Sequence, residues 1–238
     1  MPSLIPHLDN VQYGAFLAEV HSSQNLLGYG SKVLREAQFI ETTLDPIMTM
    51  LSIGVEKLLK LTMGVARVAR DEQWPTKAEM REHGHGILRL YETVLSEASP
   101  GIQASTPYVR ELFANVANDP VLPPLLAVLD RYGSFGRFYN LDRLGDTPQA
   151  GDSPAQMWTA AENATLASPH VAALQQAADD DIMSNDAADA FYRAVQSQVA
   201  ESLRGLWFTL HRAGMNGVFG QPGRLFGSLI DPDTVGRQ

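Results

Sequence analysis

The run from Asp45 to Ala69, DPIMTMLSIGVEKLLKLTMGVARVA, constrains this chain more than any other segment. Together with the preceding Leu44, its Ile47, Leu51, Val55, Leu58 and Leu59 recur at intervals of three and four. A helix gathers residues at that spacing on one face, whereas a strand would scatter them over two. Asp45 carries the short acceptor side chain of an N-cap, and the fixed φ of Pro46 suits a first helical position. Glu56 and Lys60 stand four apart with the acid first, the favourable order for a helical pair. The segment is predicted as a core-facing helix that starts at Asp45 and ends near Trp74, where Pro75 discourages continuation.

The same periodicity extends over almost the whole chain, and no pair of alternating Val, Ile or Thr runs is joined by a hairpin turn, so the predicted class is all-α, a multi-helix bundle. A chain of 238 residues with 45% hydrophobic composition can bury roughly 70 to 75% of its unfolded surface as one domain. One helical domain over residues 1–238 is expected, with a candidate sub-boundary in the connector 133–153. Cysteine is absent, which excludes disulfides, thiolate metal sites and cysteine nucleophiles and agrees with a reducing compartment. The N-terminus MPSLIPHLDN lacks a basic, then apolar, leader, and no apolar stretch approaches the length of a membrane span. The expectation is a soluble cytoplasmic protein. The formal charge of −9 opposes strong non-specific attraction to phosphate backbones but leaves room for a local basic site. Lysine occurs only at 32, 57, 60 and 77 while Arg and Ala are plentiful, a bias expected of a GC-rich bacterial genome.

Local signals mark the other elements. A first helix is predicted from about Asn10 to Leu27, interrupted by Gly28 to Gly30 and resuming from Ser31 to Thr42. Thr76 with Glu79 forms a candidate capping box, Gly84 breaks that short turn, and Ile87, Leu88, Tyr91, Val94 and Leu95 make one stripe to about Glu97. Thr106–Pro107 and Pro123–Pro124 open further helices. Ser153, Pro154 and Gln156 open another, which Ser168 and Pro169 end. The acidic run Asp179 to Asp181 reads as a solvated loop. The last long helix is expected from Ser184 or Asp186 to about Ala213, ended by glycines, with Phe219, Leu225, Phe226, Leu229 and Ile230 in a tail that docks on the bundle.

A helix bearing VEKLLK, a polar turn, and a Gly84–His85 pair opening a second helix with GHGILRLY resembles the antiparallel helical hairpin of the HEPN superfamily, small bundles of bacterial nucleotide- and RNA-related defence proteins. The resemblance covers about 39–95 and, loosely, the last long helix. It implies a HEPN-like bundle working as a homodimer or with a partner protein. It also implies a polar cluster of Glu56, Lys60 and His85 near the functional face, although Glu56 and Lys60 alone read equally as a surface pair. Family members that cleave RNA carry Arg, four to six residues, then His on a late helix. Here Arg204 and His211 enclose the six residues GLWFTL, and seven positions are two turns, so both point to one side. In a metal-independent ribonuclease the His would move a proton from the ribose 2′-hydroxyl while the Arg stabilised charge on the phosphate. The apolar Leu206, Trp207 and Phe208 between them suit packing instead, with Arg204 at a boundary and His211 favouring the helix dipole.

The most basic and aromatic stretch, RYGSFGRFYNLDR, offers a second candidate site in the Gly-rich connector. Arg137 with Phe138 and Tyr139 can stack on a base while Arg131 and Arg143 meet phosphates; alternatively the rings cover the bundle end. Glu82, His83 and His85 do not share a helix face and form no metal set. No phosphate-loop, dinucleotide or serine-elbow pattern occurs, and no cofactor is implied. The sequence therefore points to a binding or interaction module that engages RNA or a nucleotide, with the ribonuclease as the alternative.

Overall fold

A computed structural model describes residues 3–70 and 72–235. Among them are eleven α-helices and no strand, as the periodicity predicts. Helix α1 (Asn10–Glu36) starts at Asp9, whose carboxylate accepts from the Val11 and Gln12 amides while the Gln12 side chain accepts from the Asp9 amide. This reciprocal cap satisfies donors that the first turn leaves open. The helix runs through Gly28–Gly30 without the expected interruption. Gly30 serves packing: a Cβ there would lie 2.7 Å from Leu51 Cδ2, and one at Gly54 would lie 2.9 Å from Leu27 Cγ. Leucines of α1 and α2 thus each seat over the other's glycine, and Ser23 donates to the Gly54 carbonyl across the seam at 3.0 Å.

Helix α2 (Ile40–Ala69) begins earlier than Asp45, so Pro46 lies inside it. The proline costs a backbone hydrogen bond, but the added turn buries Leu44 at 6% exposure and leads into Ile47 at 0%. Burial of each such side chain is worth about 1.5 to 3 kcal/mol, enough to offset the break. Asp45 therefore does not cap the helix; its carboxylate receives the Tyr132 hydroxyl at 3.0 Å.

The expected antiparallel hairpin takes a different form. Helix α3 (Lys77–His83) runs back along α2, pairing Glu79 with Arg67 at 2.6 Å and bringing the Gly84 carbonyl to Lys60 Nζ at 2.8 Å. Helix α4 (Ile87–Ala104) then ascends beside α2 in the same direction, because His85 meets Glu56 and the later Glu97 meets Arg70. A seven-residue helix is about 10 Å long, matching the return from Arg67 to Lys60. Gly84, at φ +53°, makes the reversal between α3 and α4.

Helices α5 (Pro107–Ala117) and α6 (Leu122–Ser134) follow as predicted. The connector holds a 3-10 turn (Gly136–Phe138) and α7 (Tyr139–Leu144) before α8 (Pro154–Ala164), which packs back on α6. Helix α9 (Pro169–Asp180) takes up Asp179 and Asp180, which read as loop from sequence. Helix α10 (Asn185–Met215), capped by Ser184, lies against α1, α5, α9 and α11. The tail is itself helical, α11 (Gly220–Leu229), and docks with Phe219, Phe226 and Ile230 at 0 to 2% exposure. Trp158 and Ala161, beyond the connector, share one apolar core with α2 and α10. No single helix among the described residues is long and apolar enough to cross a membrane.

Candidate functional site

Alternating along one side of α2 is a polar stripe, Thr49, Ser52, Glu56 and Lys60, at helical spacing. The α3–α4 reversal delivers His85 to it, and the end of α6 delivers Tyr132, Gly133 and, through the 3-10 turn, Arg137. All of these except Lys60, together with Ile53 and Lys57, line a cleft of about 300 Å³.

Glu56 organises one wall. Its side chain is 15% exposed and accepts from Lys60 Nζ at 2.7 Å through Oε1 and from His85 Nδ1 at 2.9 Å through Oε2. Lys60 also donates to the Gly84 carbonyl. One carboxylate therefore locks the chain reversal onto α2, and the expected cluster of Glu56, Lys60 and His85 is brought together by position. At the opposite wall Tyr132 Oη lies 2.6 Å from Thr49 Oγ1 and donates to Asp45. Burial raises the phenol's pKa, with the Asp45 carboxylate adding to the rise, and the one hydroxyl hydrogen is committed to Asp45. Lys57 is held by Glu19 at 2.6 Å.

Arg137 is the cation of the cleft that no carboxylate neutralises among the described residues. One of its nitrogens donates to the Gly133 carbonyl at 3.0 Å, and a guanidinium has five N–H donors, so the rest of the fork is open to a ligand. Phe138 stands beside it, 5.7 Å from ring centroid to guanidinium carbon and 52% exposed. Phe135 is 50% exposed under Arg131 at 4.2 Å. Of the rings in this stretch, Tyr132 is buried in the core at 5% exposure while Phe135 and Phe138 are half exposed. Arg131 is tied to the Ala150 carbonyl at 2.8 Å and Tyr139 to the Gly151 carbonyl at 3.3 Å, while Arg143 is exposed on α7; none of the three lines the cleft. Thr49, Lys57 and Tyr132 were not picked out from sequence. The signal for Thr49 was its place, one turn and then another before Glu56 and Lys60, on the stripe.

Arg204 and His211 have separate partners. His211 is 7% exposed and its Nδ1–H donates to the Gly227 carbonyl at 2.7 Å, latching α11 to α10. Arg204 faces elsewhere, ion-paired to Asp233 at 2.6 Å. The spacing of seven therefore gives a shared side of α10 but separate partners, the Gly227 carbonyl for His211 and Asp233 for Arg204. Among the described residues no three His, Asp or Glu side chains gather as a metal set. His83 turns inward, and burial, aided by Arg89 and Lys60, holds its pKa down and keeps it neutral.

The cleft depends on α3 staying in place, and Glu79 holds it there. The Thr76 amide, the Arg67 guanidinium and the Thr76 hydroxyl lower its pKa from 4.5 to about 2. A depressed carboxyl stabilises the fold above its unfolded pKa, and that contribution disappears as pH falls through the folded value. The stability difference between wild type and Glu79→Gln, measured by urea unfolding, is accordingly expected to be constant above about pH 5 and to shrink towards pH 2. A difference that grew on acidification would contradict the assignment.

No protein family, curated protein sequence or solved structure matches this chain.

Proposed function

We propose that the protein is a binding module that takes a phosphate-bearing ligand, a nucleotide or a short RNA strand, in the cleft between α2, α4 and α6. The observation that carries this reading is the convergence there of Arg137, His85 and the Thr49 and Tyr132 hydroxyls from separate elements. An arginine fork without a carboxylate partner suits phosphate oxygens, the hydroxyls supply orienting contacts, and the exposed Phe138 ring offers a face on which a base stacks. A relationship to the HEPN superfamily is proposed on the Gly84–His85 junction docked at Glu56 and Lys60; the co-directional α2 and α4 lend it no topological support. No cleavage step is assigned to Arg204 and His211.

The test is a fluorescence titration with a labelled, 5′-phosphorylated tetranucleotide RNA and with the mononucleotide. Losing one charge-assisted bidentate contact is expected to weaken binding about tenfold in Arg137→Ala, while Phe138→Ala weakens the RNA by a similar factor and the mononucleotide less. Both side chains are exposed, so melting temperatures should stay within about 2 °C of wild type. Wild-type affinity in Arg137→Ala would remove the proposal.

A further inference from the structure

His85 combines an anchored ring with an open nitrogen. Its Nδ1 lies 2.9 Å from Glu56 Oε2, and because a carboxylate only accepts, Nδ1 carries the hydrogen. Nε2, on the edge of the ring turned away from Glu56, therefore holds the lone pair. It has no hydrogen-bond partner among the described residues, and the side chain is 54% exposed at the cleft. Glu56 is itself fixed by Lys60, and Lys60 by the Gly84 carbonyl. A nucleophile, a group that orients it and a third group that orients the second are the parts that ready a side chain for covalent chemistry. Helix α6 supplies the other half. A Cβ at Gly133 would lie 3.6 Å from the His85 carbonyl oxygen, and Arg137 donates to the Gly133 carbonyl at 3.0 Å, so His85 and Arg137 flank one residue of the cleft. Of the carboxylates at this turn, Glu56 is paired with Lys60 and Asp130 is taken by the Leu88 amide at 3.1 Å, so neither meets an incoming anion unpartnered.

We propose that His85 Nε2 accepts a phosphoryl group from an acyl phosphate. The step rests on the reading of the cleft as a phosphate site and adds covalent chemistry to it. The Nε2 lone pair attacks phosphorus while the open donors of Arg137 hold the phosphoryl oxygens. A P–N bond forms, the P–O bond to the acyl group breaks, and its electron pair leaves with the carboxylate. Nδ1 keeps its hydrogen, and the positive charge that the ring acquires faces Glu56, so no proton is gained or lost. Proton supply selects the donor. The Tyr132 hydroxyl hydrogen is committed to Asp45, and the Lys57 and Lys60 ammoniums are held by Glu19 and Glu56. An alkoxide leaving from a phosphate ester would need such a proton, whereas a carboxylate departs without one.

The experiment exposes the full chain to acetyl phosphate, quenches in base because a P–N bond is lost in acid, and follows each histidine by peptide mass spectrometry. His21 and His170 are exposed, so they report the intrinsic reactivity of an imidazole in the same tube, and this comparison needs no variant to fold. His85 is expected to be phosphorylated at least about tenfold faster than either, with NMR of the ring placing the group on Nε2. Glu56→Gln should slow the reaction about tenfold, the size of one lost charge-assisted contact. Three results would each overturn the proposal: labelling of His85 no faster than of His21 and His170, labelling at Nδ1, or the wild-type rate in folded Glu56→Gln. Nucleotide affinity is read separately in the titration above. Nucleotide binding with His85 unlabelled would sink the covalent step and leave the cleft reading standing; selective labelling without nucleotide affinity would uphold the covalent step and remove the nucleotide.

Discussion

Gly214→Ala is expected to lower the melting temperature by roughly 4 to 8 °C, and Gly205→Ala, earlier on the same helix, to raise it by roughly 1 to 4 °C. Helix propensity alone predicts the same sign for both, a gain of about 1 kcal/mol when alanine replaces glycine in a helix interior. Surroundings decide otherwise. A Cβ at Gly214 would lie 2.6 Å from the Gly223 carbonyl oxygen and 2.8 Å from Gly227 Cα, both backbone atoms of α11. No rotamer change relieves such a contact, so α11 must move, stretching the bond from His211 to the Gly227 carbonyl and lifting Phe226 from the core. Overpacking costs typically about 1 to 3 kcal/mol and more where backbone must shift, leaving a net loss near 2 kcal/mol after the propensity gain. At Gly205 a Cβ meets nothing within 4 Å, so only the propensity and unfolded-state terms act, about 0.4 to 1 kcal/mol in favour. Differential scanning calorimetry of the two variants side by side measures both signs. A stabilising Gly214→Ala would mean that α11 is not seated against α10 as described.

That contrast also shows what was legible in the sequence. Elements whose signals close within four residues were read correctly: Thr76 with Glu79, Thr106 with Pro107, Ser153 with Gln156 and Ser184 all cap the helices assigned to them. Elements decided by distant partners were not. Gly28 to Gly30 looks like a break until Leu51 is known to fill the space above Gly30. Asp45–Pro46 carries the composition of a helix start, but burial of Leu44 outweighs it. The glycine-rich end reads as a tail because glycine has poor helix propensity, yet α11 needs those glycines to approach α10. Of the cleft, the Glu56–Lys60 spacing was visible and its link to His85 came through the resemblance. The arrival of Arg137 depends on the direction of α4 and α6, which no local pattern encodes. For Arg204 and His211 the limit is different: periodicity fixes a side of α10 without saying what covers it.

Ile87→Ala is expected to cost about 2 to 5 kcal/mol, and its neighbour Leu88→Ala within about 0.5 kcal/mol. Both residues open α4 and both are aliphatic, so sequence alone ranks them together. Ile87 is 0% exposed in the central core and Leu88 38% exposed. Truncation at Ile87 removes transfer energy and leaves a cavity, because α2 and α6 on either side of α4 are held by their own contacts and relax only partly. For a chain of this length that corresponds to a drop of roughly 5 to 15 °C in melting temperature. The consequence reaches the cleft, since Ile87 anchors the turn that carries His85 to Glu56. Loosening it frees the Gly84–His85 reversal, and the wall that Glu56, Lys60 and His85 build loses its fixed geometry. Ligand affinity in Ile87→Ala should therefore fall even where the protein is fully folded, while Leu88→Ala binds as wild type. Equal stabilities for the two variants would show that the start of α4 is not buried, and the placement of His85 beside Glu56 would fall with it.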